Sequence, residues 1–132
     1  MLKSMTENDI AKEIFDSAYH IHYTLGPGLY EIVYENILAH ELVKKGLHVV
    51  RQKEIKVYWD DLIFEQGFKA DLIVEDKVLI EIKAVETLHP NHFKQVNTYL
   101  KLTDIKLGLL INFNEKLIKY GFKRIANGLE DE

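Results

Sequence analysis

Two acidic residues and a lysine near the middle of the chain have types and spacing that suit a divalent cation. Glu81 lies inside the apolar run 78–82, and Lys83 follows two residues later, so both side chains point to the same face of a strand. A carboxylate in a buried strand is unfavourable by several kcal/mol unless a cation or hydrogen bonds meet it. A divalent metal ion, with Lys83 beside it, would be such a partner.

The tripeptide Glu-x-Lys carries little information by itself, because it occurs three times, at 54–56, 75–77 and 81–83. In the first copy the residues alternate in polarity, which is typical of the exposed face of an amphipathic strand. The second copy has the composition of a turn. The third follows a strand with an embedded acid, Asp71, ten residues upstream of Glu81. This copy alone indicates a chemical site.

The length of the connection between two strands decides whether Asp71 and Glu81 meet. Residues 68–74 and 77–83 predict an antiparallel hairpin, in which directly opposed residues share a face of the sheet. A two-residue loop at Glu75 and Asp76 would place Asp71 opposite Ile80, on the other face from Glu81. A three-residue loop or a bulge would place Asp71 opposite Glu81. We predict the odd-numbered connection. The alternative is a surface hairpin whose charges are incidental.

The surrounding pattern predicts one α/β or α+β domain over residues 1–132, with an acidic, flexible tail at about 126–132. Thr6 and Asp9 form a capping-box pattern before a first helix, which Gly26-Pro27-Gly28 ends. The other predicted elements are a helix at 30–45, strands at 49–50, 55–58 and 62–64, the hairpin at 68–83, a helix at 91–101, a strand at 107–111, and a strand or irregular end at 117–125.

The composition indicates a full hydrophobic core and a local excess of positive charge in the second half of the chain. Hydrophobic residues make up 47% of the sequence, and the net charge is −4. Residues 1–67 hold seven basic and eleven acidic side chains, whereas residues 68–124 hold ten basic and seven acidic ones. A basic surface around the acidic cluster would attract phosphate, although ordinary solvated charge gives the same counts.

Other broad classes of protein fit the sequence poorly. There is no cysteine, no apolar stretch long enough for a membrane helix, and no signal-peptide pattern after Met1. We therefore expect a cytoplasmic protein without a membrane partner. The segment Gly26-Pro27-Gly28 lacks the ending of a phosphate-binding loop, and the six histidines do not form a zinc motif.

Five short blocks resemble the PD-(D/E)XK nuclease superfamily and, within it, the small GxxExxY protein family. They cover roughly residues 10–125 in the family's order, and the joint match is more specific than any one block. The blocks are 28–35 (Gly-Leu-Tyr-Glu-Ile-Val-Tyr-Glu), 68–71 (Phe-Lys-Ala-Asp), 81–86 (Glu-Ile-Lys-Ala-Val-Glu), 92–101 (His-Phe-Lys-Gln-Val-Asn-Thr-Tyr-Leu-Lys) and 108–113 (Gly-Leu-Leu-Ile-Asn-Phe).

The resemblance implies a restriction-endonuclease-like core: a mixed central sheet with an antiparallel hairpin meander, flanked by helices, and a site where strands diverge. It implies that Asp71 and Glu81 hold Mg²⁺, for which Mn²⁺ would substitute, and that the backbone carbonyl of Ile82 is a further ligand. Lys83 would orient or activate the attacking water. The residue before Asp71 is Ala70 rather than proline, a departure that leaves the carboxylate in place.

The last predicted helix resembles the Gln-x-x-x-Tyr element of RecB-type nucleases. Gln95 and Tyr99 are four residues apart and so share a helical face, and His92 lies one turn earlier. The resemblance implies that Gln95 and Tyr99 position the scissile phosphate or the water. For His92 a hydrogen-bonding role is favoured over metal ligation.

The second predicted helix offers two acids, Glu31 and Glu35, in the block that also contains Tyr34. Superfamily members often take one acidic ligand from this helix. We favour Glu35 as the metal ligand and Glu31 as a supporting residue, because Tyr34 and Leu38, the neighbours of Glu35, point toward the core. The alternative for both acids is a solvated helix face.

The resemblance implies a Mg²⁺-dependent nuclease that hydrolyses phosphodiester bonds of DNA or RNA. The competing interpretation is a catalytically silent nuclease fold that binds nucleic acid or a protein partner. The chain's 132 residues leave little room for a recognition domain, so a second copy of the chain or a partner protein would supply specificity. We expect nucleic acid, with DNA favoured, as the main partner.

Overall fold

The computed structural model describes residues 4–130, and local sequence signals account for where its helices begin and end. Thr6 and Asp9 exchange two hydrogen bonds in the predicted capping box at the start of the first helix. Its C-cap, Gly26, has a φ of 71°, which glycine adopts without strain. The elements are α1 (Glu7–Leu25), α2 (Glu31–Lys44), β1 (Val49–Trp59), β2 (Leu62–Val74), β3 (Val78–Lys83), α3 (Pro90–Thr103), β4 (Leu107–Asn112), α4 (Ile118–Gly121) and β5 (Phe122–Ala126).

The five strands form one mixed sheet in the order β1-β2-β3-β4-β5. The pairs β1–β2, β2–β3 and β4–β5 are antiparallel, and the central pair β3–β4 is parallel. The parallel pair requires a crossover, which α3 supplies. An antiparallel meander joined to a parallel unit, with helices on both faces, is the restriction-endonuclease-like architecture that the sequence predicts.

Two hydrophobic layers hold the helices against opposite faces of the sheet. One layer joins α1 and α2 to alternate sheet residues such as Leu72, Ile80 and Ile82. The other joins Val96 and Leu100 of α3 to the residues in between, including Ile73, Leu79 and Leu110. The residues of β3 and β4 are buried almost without exception, as expected for strands covered on both faces.

A glycine allows α3 to lie close to the sheet. A Cβ atom at Gly108 of β4 would lie 2.7 Å from a methyl carbon of Val96 and 3.3 Å from those of Leu100, closer than real side chains allow. The absence of a side chain at this position therefore sets the depth at which α3 packs.

Several element boundaries differ from the sequence-based expectations. The strands predicted at 49–50 and 55–58 are one continuous strand, β1, and those at 62–64 and 68–74 are likewise one strand, β2. The segment 117–125 forms a helical turn, α4, and then β5. The flexible tail expected at 126–132 begins on the last residue of β5, and its residues 131–132 lie outside the described part. No helix among the described residues is long and apolar enough to cross a membrane.

Candidate metal centre

The connection between β2 and β3 has three residues, so the odd-numbered prediction is confirmed. Val74 pairs with Val78, and the register continues through Leu72 opposite Ile80. Glu75 and Asp76 both adopt a φ of 54°, and the N–H of Lys77 bonds to the carbonyl of Val74 at 3.0 Å. The same register carried one step further brings Asp71 opposite Glu81.

The two strands stop pairing at the position where the acids lie. The backbone ladder between β2 and β3 spans Leu72 to Val74 and ends one residue before Asp71. At that position the side chain of Asp71 replaces the backbone as the hydrogen-bond acceptor. Its Oδ2 accepts a hydrogen bond from the N–H of Ile82 at 2.8 Å. The carboxylate is therefore fixed to the backbone of β3, in the gap that the diverging strands leave.

Glu81 is buried without a full set of partners. Only 5% of the residue is exposed, and its Oε1 has no hydrogen-bond partner among the described residues. Burial, and next the adjacent Asp71, raise the pKa of Glu81 to about 9, while Lys83 opposes the shift. In the metal-free protein Glu81 is therefore protonated at neutral pH. The proton removes the repulsion that two adjacent negative charges on Glu81 and Asp71 would cause.

A divalent cation could replace the proton as the charge that compensates this pair of carboxyl groups. A hard cation binds oxygen, and Mg²⁺ in particular is held by one or two carboxylates while it keeps several waters. The Oε1 of Glu81 and the carboxylate of Asp71 provide such a donor set, and the carbonyl of Ile82 follows Glu81 directly in the sequence. No group of three or more His, Cys, Asp or Glu side chains within residues 4–130 is arranged to hold a metal ion.

Lys83 is half-buried at the end of β3, on the same strand face as Glu81. Its carbonyl accepts a hydrogen bond from the N–H of Phe113 at 2.9 Å. Beyond it, the buried Asn112 at the end of β4 accepts from the N–H of Val85 and donates to its carbonyl, at 3.1 and 2.8 Å. Asn112 thus fixes the chain that leaves Lys83. Sequence reasoning included Asn112 in a matching block but assigned it no role.

The helix α3 brings Tyr99 to the same region. The pKa of Tyr99 is raised by burial and then by the negative charges of Glu81 and Asp71. The ring stacks on Phe68 of β2, with centroids 3.5 Å apart and an angle of 8°. Gln95 lies one turn earlier and is exposed.

The first turn of α3 lies near Lys83 as well. The pKa of His92 is lowered by burial, then by Lys83 and His89, and Glu31 opposes this. Its Nδ1 accepts a hydrogen bond from the N–H of His89 at 3.1 Å, which caps the helix. A hydrogen-bonding role is therefore visible in the structure. The exposed Glu31 accepts from the N–H of Ala84 at 3.3 Å, next to Lys83.

Glu35, the favoured helix ligand, is buried but already has partners. Only 3% of the residue is exposed, so a solvated helix face is wrong for this acid. Its Oε2 accepts from Nη2 of Arg51 at 2.9 Å, and its Oε1 accepts from Nε2 of Gln52 at 2.7 Å. The same Nε2 lies 3.2 Å from Oδ1 of Asp71. Gln52 therefore links Glu35 to the acidic pair.

Sequence reasoning missed Gln52 and Arg51, since polar residues in an exposed strand have no distinguishing signal. The backbone gives one only in three dimensions: Gln52 adopts a φ of 49°, which is uncommon for a residue other than glycine. It lies opposite Asp71, between the pairs Arg51–Leu72 and Lys53–Ala70.

Tyr34 supports the fold near the site rather than the acids themselves. It is fully buried, and its ring stacks on Phe113 with centroids 4.4 Å apart. Its hydroxyl donates to the carbonyl of Gly26 at 2.6 Å and accepts from the N–H of Leu29 at 3.2 Å. Tyr34 thus holds the loop that precedes α2.

Comparisons with known proteins give one family match. The model of the PD-(D/E)XK nuclease superfamily matches residues 8–125. A solved structure described as "Crystal structure of SSO0001" aligns with a TM-score of 0.49 and 19% sequence identity, over 99% of this chain and 72% of that chain. No curated protein matches the chain.

Proposed function

The chain belongs to the PD-(D/E)XK nuclease superfamily, and we propose that it is a metal-dependent nuclease that hydrolyses phosphodiester bonds of DNA. The observation that carries the proposal is the pairing of Asp71 with the buried, incompletely bonded Glu81, beside Lys83. A structural role has no need for an unpartnered carboxyl group inside a buried strand.

Asp71 and Glu81 would hold Mg²⁺ or Mn²⁺ together with the carbonyl of Ile82. When bound, such an ion lowers the pKa of a water and offsets negative charge at the phosphorus. Asp71 is already oriented for this by the N–H of Ile82 and by Gln52. Glu81 would release its proton as the ion enters, because the ion stabilises the charged carboxylate that burial disfavours.

Lys83 would supply a fixed positive charge next to the reacting phosphate. The chain after it is held by Asn112 and Phe113, so its backbone does not depend on the substrate for position. Gln95 and Tyr99 would contact the scissile phosphate or the attacking water from α3. Their role is to orient these groups, because neither side chain transfers protons readily near neutral pH.

Two acids of α2 would act differently. Glu35, already bonded to Arg51 and Gln52, would position Asp71 through Gln52 rather than bind the ion directly. Glu31 lies next to Lys83 and has one carboxylate oxygen on the N–H of Ala84. Its second oxygen would be available to a water of the ion. This reverses the preference for Glu35 that the sequence suggests.

We further propose membership of the GxxExxY family within the superfamily. The three residues of its name have separate roles consistent with this: Gly28 adopts a φ of 109°, Glu31 reaches the end of β3, and Tyr34 holds the loop between α1 and α2. His92 would remain a helix-capping residue close to the phosphate path.

A cleavage panel with Mn²⁺ tests the function on single- and double-stranded DNA and RNA. We expect cleavage of DNA by the wild-type protein and a loss of about 10²–10³-fold in rate for Lys83→Ala. The matched control is Lys69→Ala, a lysine of β2 whose partner is Glu54 at 3.7 Å. Equal activity of wild type and Lys83→Ala would mean that a contaminant cuts the substrate.

Titration calorimetry separates the nuclease from the catalytically silent alternative. We expect Mn²⁺ to bind the wild-type protein and to lose most of its affinity for Asp71→Asn. Metal binding that depends on Asp71, without cleavage of any substrate in the panel, would favour a binding module. Equal binding to both proteins would reject the site itself.

A further inference from the structure

The far end of the β1–β2 hairpin exposes a concentration of large apolar side chains. We call residues Val57–Phe64 the arm. Its exposed apolar residues range from 51% exposure for Phe64 to 71% for Trp59, and Tyr58, Leu62 and Ile63 lie between these values. A patch of this kind on a folded protein marks an interaction surface or an aggregation hazard.

Within residues 4–130, no strand outside the β1–β2 hairpin pairs with the arm in the sheet. β1 and β2 pair along their whole length, from Val49–Val74 to Trp59–Leu62, whereas β2 pairs with β3 only through Leu72–Val74. A register shift between Ile55 and Val57 marks its base, where a Cβ atom at Gly67 would lie 2.1 Å from a methyl carbon of Val57. The arm is thus a two-stranded ribbon, which needs packing on one face for independent stability.

The tip of the arm is acidic. Asp60 and Asp61 form the turn between Trp59 and Leu62, and both are exposed. The nearest basic side chain of the hairpin, Lys56, already pairs with Glu65 at 3.3 Å. An acidic tip opposes contact with the phosphates of nucleic acid, so the substrate of the proposed site is not the partner that this charge favours.

A matching surface lies at the other edge of the sheet. An open pocket of about 360 Å³, which we call the aromatic pocket, is lined by Phe15, Tyr19, Tyr23, Leu117, Ile118 and Lys119. Tyr19 and Tyr23 stack with ring centroids 6.1 Å apart, and both are more than half exposed. Phe15 packs edge-on against Phe122 at the start of β5, which places the pocket far along the strand order from β1.

The pocket carries the opposite charge to the tip of the arm. Lys119 lines it, Lys116 is exposed three residues earlier, and no carboxylate among the described residues lines it. The other ionisable group besides its tyrosines is His22, whose Nε2 lies 2.8 Å from the carbonyl of Glu115. An apolar pocket lined by one lysine thus complements an apolar arm with an acidic tip.

From this complementarity we propose that the arm of one chain inserts into the aromatic pocket of a second copy, in a reciprocal exchange that forms a closed dimer. Trp59 fills the pocket, and Asp60 and Asp61 face Lys116 and Lys119. Reciprocity uses both surfaces of both copies and leaves none exposed, whereas a one-way contact would propagate into open chains. The inference does not depend on catalysis.

The sole tryptophan of the chain reports this contact directly, because it is Trp59. Sedimentation velocity over a concentration series is expected to show a monomer–dimer equilibrium, with Trp59 emission shifting to shorter wavelength as the dimer forms. Trp59→Ser is expected to abolish the dimer and to leave the circular dichroism unchanged, since the side chain is exposed in the single copy. A wild-type protein that stays monomeric throughout would overturn the proposal.

A charge exchange tests the pairing of the two surfaces. The arm variant is Asp60→Asn/Asp61→Lys; asparagine is used at residue 60 because Asp60 has a φ of 50°, which asparagine tolerates. The pocket variant is Lys116→Glu/Lys119→Glu. Each variant alone brings like charges together and is expected to be monomeric, whereas an equimolar mixture restores opposite charges at both contacts and is expected to dimerise.

Failure of the mixture to dimerise, or a dimer that survives in either variant alone, would overturn the assignment of these surfaces. Higher oligomers that grow with concentration would overturn the closed exchange. A shift of Trp59 emission on addition of an oligonucleotide to a monomeric wild-type protein would show that nucleic acid covers the arm, and would likewise reject the dimer.

Discussion

Two regions of the molecule each contain a buried glutamate, and the two glutamates differ in their hydrogen-bond partners. In the α2–β1 contact, Glu35 has both oxygens bonded, one to Arg51 and one to Gln52. In the β2–β3 pair, Oε1 of Glu81 has no hydrogen-bond partner within residues 4–130, and burial together with the adjacent Asp71 raises the pKa of Glu81 to about 9. The two residues are 3% and 5% exposed, so burial alone does not distinguish them.

The difference teaches that an acid's partners, rather than its depth, distinguish a structural carboxylate from a site. Glu35 is compensated within the folded chain and needs nothing further. Glu81 is compensated mainly by a proton, because the nearby Lys83 offsets only part of the effect of burial, and a cation could replace that proton. The two regions are joined by Gln52, which donates from one Nε2 toward both Glu35 and Asp71.

The largest expected effect is on the pH dependence of stability without metal. The pKa of Glu81 rises from 4.5 to about 9 on folding, chiefly because of burial. Between these values the folded protein holds a proton that the unfolded chain has released, so stability present at low pH is lost as the pH rises toward 9. Denaturant unfolding in a chelator measures this loss. Glu81→Gln should flatten the profile over that window.

The next largest effect is on metal affinity. Glu81→Gln should weaken Mn²⁺ binding by more than about 100-fold, because it removes a direct ligand, whereas Glu35→Gln should weaken it by about 10-fold through Gln52. Titration calorimetry on both variants gives the ratio. Affinity for the wild-type protein should also increase with pH, since the ion displaces the proton of Glu81. Equal losses of Mn²⁺ affinity in the two variants would contradict the proposal that Glu81 binds the ion directly and Glu35 acts through Gln52.

For the stability of the metal-free protein at neutral pH we expect the opposite order, with a larger loss for Glu35→Gln than for Glu81→Gln. Glu35→Gln removes the charge that Arg51 binds at 2.9 Å and should lower the free energy of unfolding by about 1–3 kcal/mol. Glu81→Gln replaces a protonated carboxyl group by a neutral amide of similar shape and should change it by less. Urea unfolding in a chelator compares the two. A larger loss for Glu81→Gln would indicate that Glu81 is the structural acid.

The smallest expected effect on stability comes from replacing Gln52, the residue that links Glu35 to Asp71. Gln52→Gly removes the bridge but relieves the left-handed backbone, so stability should change by less than about 1 kcal/mol. Mn²⁺ affinity should nevertheless fall by about 10-fold, because Asp71 loses its orienting donor. If Gln52 had only a structural role, Gln52→Gly would lower the stability of the protein and leave its Mn²⁺ affinity unchanged. Gln52→Asn, which retains the amide on a shorter side chain, should recover part of the affinity.

Much of the fold was predictable because its signals are local. The capping residues Thr6 and Asp9 start α1, and Pro90 starts α3, whatever else the chain does. The continuous lengths of β1 and β2 were not predictable, since the exposed arm lacks the alternation of a strand that has one buried face. Pairing between the two strands extends the ribbon there.

The acidic pair was also within reach of the sequence. Glu81 stands in an apolar run, and the two-residue period of a strand, with a turn of odd length, leaves Asp71 only one place to lie. The alternation and spacing of residues 68–83 therefore predicted that Asp71 and Glu81 share a face of the sheet, provided that the turn between the strands has an odd length. The same reasoning could not choose between Glu31 and Glu35, which differ by one helical turn and have similar neighbours.

The tertiary structure alone shows how the surroundings of these two acids differ. Arg51 and Gln52 reach Glu35 only because β1 pairs with β2 in a register that places Gln52 opposite Asp71, while α2 packs on the sheet above them. These contacts join residues that are 16 to 19 positions apart in the sequence, and they depend on packing rather than on any local pattern. The periodicity of the sequence determines which face of a strand or helix a side chain lies on. The residues that the side chain contacts there are determined only when the sheet and the helices pack together.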